Sequence, residues 1–315
     1  MPGPPPTAVT ATPWLDRLFE YVESAHPRSL RGLNEARGQD PDRFARIAEL
    51  YLDWLVKARG EEGIGAAADA FAQFSTDVNL AQARYERDGA YANKTFAEVY
   101  QDHYSDAEAM DGYLWGIYLT NFLWAHHFQI MTFFQDRFMP RLGGDAKLVE
   151  VAPGHGGWGV WALAHLPGAS LEGYDISPRS IEIARGVAQA AGVGGRARYV
   201  QRDALDLGRL EAGAADGCIC SFLVEHLEDP QHLYKVIAHL LKAGGVAFIT
   251  GALTAAQVDH IYEYRYESEL VTMCEKAGLR VLETLSANPL RTLPKARFMP
   301  RSMALLVQKR GNEIY

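Results

Sequence analysis

"VEVAPGHGGWG", residues 149–159, turns an apolar run into a loop with four glycines within six residues. A loop so poor in side chains lets its backbone approach a ligand closely and adopt positive φ. Gly154, Gly156 and Gly159 satisfy G-x-G-x-x-G, and Asp175 ends the next apolar run, so a nicotinamide dinucleotide is one candidate ligand. Glu150 points elsewhere. It sits inside the apolar run, four residues before the first glycine, where an acid repels a pyrophosphate and attracts an ammonium group.

Downstream of this loop, short apolar runs alternate with helical stretches. "AKLVEVA", "SLEGYDI", "ARYVQRDA", "DGCICSFL" and "GGVAFITGA" read as five strands, which is the pattern of βαβ units and a parallel, doubly wound sheet. Two further strand-like runs, "GLRVLETLSA" and "RSMALLVQKR", have no helix-length segment between them and are expected to pair antiparallel at one sheet edge. Cys218 and Cys220 alternate within an apolar run and are expected as buried thiols.

Upstream, the first 145 or so residues show helical punctuation and almost no strand signal. "TPWLDRLFEYVESA" offers Thr12 as an N-cap and Pro13 at the first helical position. "DPDRFARIAELYLDWLVKARG" repeats the device with Asp40 and Pro41, carries apolar residues at spacings of three and four, and stops at Gly60. Further helices are expected over 64–85, 94–104 and 107–138. The apolar stretch 113–134 is long enough for a bilayer, but Asn121, His126, His127 and Gln129 occupy its middle, so it reads as a buried helix.

Composition narrows the function. A net charge of −8 disfavours nucleic acid and anionic membranes as partners, and 48% apolar residues suffice for a full core. Three cysteines without a CxxC or a Cys/His cluster at metal spacing suit a cytoplasmic protein, and no metal is expected. "MPGPPPTAVTATP" lacks a basic n-region and an apolar h-region, and reads as a disordered tail with no secretory signal.

Taken in order, the motifs of residues 140–310 resemble those of class I S-adenosylmethionine-dependent methyltransferases. "EVAPGHG" (150–156) is similar to the family's acid-x-Gly-x-Gly-x-Gly, with Ala152 replacing the first glycine, which requires φ there to stay negative. Asp175 in "EGYDIS" resembles the acid that grips both ribose hydroxyls. In "RDAL", Asp203 resembles the acceptor for the adenine amine and the Ala204 backbone meets the ring. "DGCICSFLVEHLEDP" and "LLKAGGVAFIT" resemble the family's fourth strand and its helix–turn–strand, with Gly244-Gly245 at the turn. The resemblance implies a Rossmann-like α/β fold with S-adenosyl-L-methionine as cofactor. Its binding residues would be Glu150, Ala152, Gly154, Gly156, Asp175, Ile176, Asp203, Ala204 and Phe222. It also implies a division into a tail (1–12), a helical lid or oligomerisation domain (13–142) and a cofactor-binding domain (143–315), with a homodimer through the helices.

Three segments are placed to roof the acceptor site beyond the strands' carboxyl ends. His226 in "FLVEHLEDP" is a candidate base or a hydrogen-bonded structural residue. In "DHIYEYRYESEL", Tyr262 and Arg265 either meet an acidic substrate or pack on the sheet edge. The helical region from Tyr100 to Phe138 offers Tyr104, Trp115, Tyr118, His126 and His127, as pocket or as core; Tyr104 and the two histidines are catalytic candidates, and Trp115 and Tyr118 substrate contacts. The resulting expectation is a methyltransferase acting on a small, specialised-metabolite acceptor. The alternatives are an enzyme using the cofactor for other chemistry, a nicotinamide-dependent oxidoreductase, and a non-catalytic binding protein.

Overall fold

A computed structural model describes residues 11–100, 104, 107–289 and 296–311, so the expected N-terminal tail lies, apart from Ala11 and Thr12, outside the described residues. Its centre is a seven-stranded sheet of order β3-β2-β1-β4-β5-β7-β6. The strands are β1 (Lys147–Val151), β2 (Ser170–Asp175), β3 (Ala197–Gln201), β4 (Ala215–Cys220), β5 (Leu241–Leu253), β6 (Leu279–Ala287) and β7 (Arg301–Lys309). The first five run parallel and β7 lies antiparallel between β5 and β6, as the two patterns of the sequence require. Strand order reverses between β1 and β4, and in such sheets that crevice receives the ligand.

The helices are α1 (Pro13–Ala25), α2 (Leu30–Arg37), α3 (Pro41–Arg59), α4 (Gly63–Asp88), α5 (Phe96–Val99), α6 (Ala107–Leu123), α7 (Ala125–Phe133), α8 (Gly157–His165), α9 (Pro178–Ala190), α10 (Pro230–Leu240) and α11 (Glu267–Lys276). Asp40 caps α3 as expected, accepting from the Arg43 amide at 3.0 Å. Thr12 does not cap α1. Instead the Glu49 carboxylate of α3 accepts the Trp14 and Leu15 amides at 3.2 and 3.0 Å, so a long-range acid supplies what the local hydroxyl does not. The helix expected over 94–104 is described for Phe96–Val99, and α2 was not anticipated.

The helix expected over 107–138 is broken. Trp124 adopts an extended conformation between α6 and α7 and stacks on Phe74 at 5.4 Å and on His126 at 5.3 Å. A π turn, Phe134–Phe138, follows α7 and leads the chain towards β1. No helix among the described residues is long and apolar enough to cross a membrane.

One hydrophobic core runs from Leu18 and Phe44 through Tyr118 and Phe134 to Leu148, Phe248 and Leu306, so the N-terminal helices pack directly on one sheet face. The opposite face is covered by α10 and α11 over a second core that includes Cys218 and Cys220, both fully buried. Along the far edge of the cavity described below, α4 is fastened to the loops flanking β5 and β7. Gln82 binds Thr254 O, Phe298 O and the Ala256 amide at 3.2, 3.2 and 2.8 Å, while Glu86 accepts the Arg297 and Phe298 amides at 2.9 and 2.7 Å.

Candidate active site

Where the carboxyl ends of β1, β2, β4 and β5 meet α4, α6 and α7, the protein encloses a cavity of about 700 Å³. Its floor begins with the glycine loop. Gly154 (φ +54°) and Gly156 (φ +73°) need glycine's freedom to turn the chain from β1 into α8. Ala152 takes φ +52°, which corrects the expectation of a negative φ there. The hydrogen bond of its amide to Tyr174 O, 2.8 Å, holds it in this strained state. Phe222 after β4 (φ +50°) and Thr254 after β5 (φ +47°) are equally unusual, so the chain leaves three neighbouring parallel strands through left-handed turns.

Two acids stand at this floor. Asp175 accepts the Gly154 amide on Oδ2 at 3.0 Å and the Ser177 amide on Oδ1 at 2.9 Å; a carboxylate oxygen retains a second lone pair for a ribose hydroxyl. Burial pushes Asp175 up to about 6, although backbone amides oppose the shift. Glu150 is buried, accepts the Gly159 amide on Oε1 at 3.2 Å, and leaves Oε2 without a partner among the described residues. Burial raises it to about 8, resisted by that amide and reinforced by Asp175. An orphaned buried carboxyl oxygen beside a glycine loop suits a cationic ligand better than a pyrophosphate. These features fit S-adenosylmethionine, whose ammonium and sulfonium are both positive.

Glu150, Ala152, Gly154, Asp175, Ile176 and Phe222 all line the cavity. Gly156 does not; it opens α8 and packs against Ala184. Asp203 is exposed, outside the cavity wall, and accepts the Leu205 amide at 2.8 Å as the cap of a short 3-10 turn; Ala204 follows it there.

The roof comes from the helices. His126, His127 and Tyr104 line the cavity; Trp115 and Tyr118 do not. The Tyr118 hydroxyl donates to Tyr51 O at 2.9 Å in the core, and Trp115 is buried under the Arg59 guanidinium, which corrects both as substrate contacts. His127 stacks on Phe222, centroids 4.7 Å apart, and its Nδ1 lies 3.0 Å from Thr120 Oγ1. Burial holds both histidines well below their ordinary value, His126 at about 3, so both are neutral at neutral pH. Arg265 pairs with Glu263 and points outward, and Tyr262 packs beside Tyr264 at the second core; neither reaches the cavity.

The third wall is a polar pole in which the sequence candidate His226 is joined by His260, which sequence spacing did not reveal. Glu225 and His226 follow β4, and His260 follows β5; all three are buried and line the cavity. His226 Nδ1 lies 3.1 Å from Asp259 O and 3.5 Å from Asp259 Oδ2, and the Tyr104 hydroxyl donates to Asp259 Oδ2 at 3.0 Å. Burial favours the neutral form of Asp259, but the two histidines and the hydroxyls of Tyr104 and Tyr113 outweigh it and hold the group below its ordinary value. Burial raises Glu225 to about 7, partly offset by His226, and lowers His260 to about 3.

A family model described as a methyltransferase domain matches residues 149–249, from the glycine loop to β5. Over these residues the chain carries a methyltransferase domain. The ubiquinone biosynthesis O-methyltransferase of Xanthomonas axonopodis pv. citri is 31% identical over 105 residues, covering 33% of this chain and 42% of that protein. The enzyme of the same description from Xanthomonas oryzae pv. oryzae (strain PXO99A) is 31% identical over 107 residues, again 33% and 42%. The chain thus spans less than half the length of these curated relatives. An O-methyltransferase family protein from Burkholderia thailandensis has the same fold, with TM-score 0.54 at 16% identity over 79% of this chain and 72% of that one. A geranyl diphosphate methyltransferase solved with S-adenosylmethionine aligns at TM-score 0.50 and 15% identity, over 63% and 90%. The cofactor of the methyltransferase domain is S-adenosylmethionine, and Glu150 and Asp175 both lie within the matched residues.

Proposed function

We propose that the protein transfers a methyl group from S-adenosylmethionine to a small, largely apolar acceptor held under the helical roof. One observation carries this reading: the glycine loop with its two acids and the Glu225–His226–His260 pole are walls of the same cavity. The cofactor supplies a methyl group already activated on a sulfonium, so the protein's task is alignment and exclusion of water. Asp175 and the Gly154 backbone fix the nucleoside end, and Glu150 meets the positive end. Phe71, Phe74, Leu123, Trp124 and Phe298 give the acceptor region an apolar, aromatic surface, which favours a ring-bearing or hydrocarbon body over a sugar or a peptide. The acceptor's nucleophile faces His226 and Tyr104, where a proton can leave. The helices of 13–142 act as lid and acceptor wall.

Mass spectrometry of an acceptor library incubated with protein and cofactor tests the proposal. Methyl transfer predicts products heavier by one methylene with S-adenosylhomocysteine released in equal amount. Cofactor binding with no methylated product from apolar hydroxyl-, amine- or carbon-nucleophile acceptors would refute it.

A further inference from the structure

The polar pole holds more acceptor atoms than its hydrogen bonds explain. Among the described residues neither carboxylate oxygen of Glu225 has a hydrogen-bond partner of good geometry, although the residue is fully buried, and His260 Nε2 is equally orphaned. His226 Nε2 makes no hydrogen bond among the described residues. Three buried lone-pair donors facing one another repel unless something positive sits between them.

The outer nitrogens of the two rings are already committed. His226 Nδ1 faces the Asp259 carbonyl and carboxylate, and His260 Nδ1 lies 2.7 Å from Ala255 O. Both acceptors require a proton on Nδ1, which leaves both Nε2 lone pairs free. This pairing of an imidazole with a carboxylate or carbonyl behind it is how proteins orient metal-binding histidines. One carboxylate atom and one ring nitrogen from each histidine lie within 4.8 Å of one another. A tetrahedral ion at about 2.0–2.2 Å from each ligand holds its ligands roughly 3.4 Å apart, so the three side chains need to close by no more than about 1.4 Å to grip it.

The scaffold is built before any ligand arrives. Ile261 and Tyr262 both donate their amides to Glu225 O at 2.9 Å, which ties the loop after β5 to the turn carrying Glu225 and His226. We propose that Glu225, His226 and His260 bind one divalent transition-metal ion of the zinc class, with an open coordination position on the cavity. A carboxylate and two imidazoles are the donor set of catalytic zinc sites and a poor one for magnesium or calcium. On the reading that this cavity methylates an acceptor, the open position takes the acceptor's oxygen or nitrogen, holds it in line and makes its proton easier to lose.

Metal binding is measured without turnover. The chelator-stripped protein, titrated with Zn2+ by calorimetry, should take up one equivalent. Glu225→Gln and His260→Gln should each weaken that uptake about 100-fold. Both variants should retain the thermal shift given by S-adenosylhomocysteine, which reports folding and the cofactor site separately. The wild-type Co2+ form should show two exchangeable, paramagnetically shifted imidazole N–H signals, one per histidine, and this holds even if a variant fails to fold. Absence of stoichiometric Zn2+ uptake, uptake indifferent to both substitutions, or a Co2+ form without those two signals would overturn the site. Loss of the S-adenosylhomocysteine shift in wild type would instead overturn the cofactor reading and leave the metal result standing.

Discussion

Asp175, at the tip of β2, accepts the amide of Gly154, in the loop after β1, at 3.0 Å. One carboxylate therefore shapes the glycine loop and presents itself to the nucleoside. Asp175→Ala should remove both roles: S-adenosylhomocysteine affinity should fall by at least about tenfold, or ~1.4 kcal/mol. The fluorimetric shift at fixed ligand should shrink accordingly. Asp175→Asn keeps one acceptor oxygen and should lose less. Undiminished binding in the alanine variant would mean that the ribose is held elsewhere.

Proton linkage follows from the two floor acids. Asp175 titrates near 6 and Glu150 near 8 in the free protein, both raised first by burial. Ribose hydroxyls donate best to an ionised Asp175 and a cation is met best by an ionised Glu150, so affinity for S-adenosylmethionine, which carries both a sulfonium and an ammonium, should rise as pH increases through that interval. Calorimetry at neutral pH in buffers of different ionisation enthalpy should register proton release.

The same group sets a stability trend. The folded value of Glu150 lies above the ordinary 4.5, so the folded state holds its proton more tightly than the unfolded one. The contribution is complete below about 4.5 and is lost as pH rises towards about 8. Glu150→Gln, which cannot ionise, should lose less Tm than wild type between those limits. Parallel Tm–pH curves for the two proteins would count against a buried, proton-holding Glu150.

His226 and His126 line the same cavity from different walls, and kinetics should separate them. His226→Asn should lower kcat by about 100-fold or more, the usual worth of a group that assists proton removal. His126→Ala removes only acceptor contact and should raise KM with kcat little changed. Equal kcat losses in both would place His126 at the reacting atoms.

Ala152 holds φ +52° where glycine would rest without strain. Ala152→Gly should therefore stabilise the protein, by up to about 1 kcal/mol, with cofactor binding retained. Chemical denaturation with a S-adenosylhomocysteine control measures both quantities.

The sheet was legible because strand and helix periods alternate after Gly144 and because a glycine loop, an acid and a final strand pair occur in order. The roof was not. Helix α6 is apolar nearly all round, so periodicity cannot tell the side bearing Tyr118, which faces Tyr51, from the side bearing Ile117, which faces the cavity. Helix α2, "LRGLNEAR", buries only Leu33 and Ala36, too few to leave a pattern. His260 stands 34 positions beyond His226 and gains meaning only when two loops join through the Glu225 carbonyl. Asp203 matched a motif, yet its side chain serves a local turn, a competition that a linear pattern does not resolve.

Because the N-terminal helices and one face of the sheet share a single uninterrupted core, neither half is a detachable module. Excising the helices would leave Phe248, Leu148 and Leu306 naked to water, so a trimmed catalytic fragment should aggregate. Any attempt to redirect this protein to a new acceptor by grafting must therefore redesign the seam along with the roof.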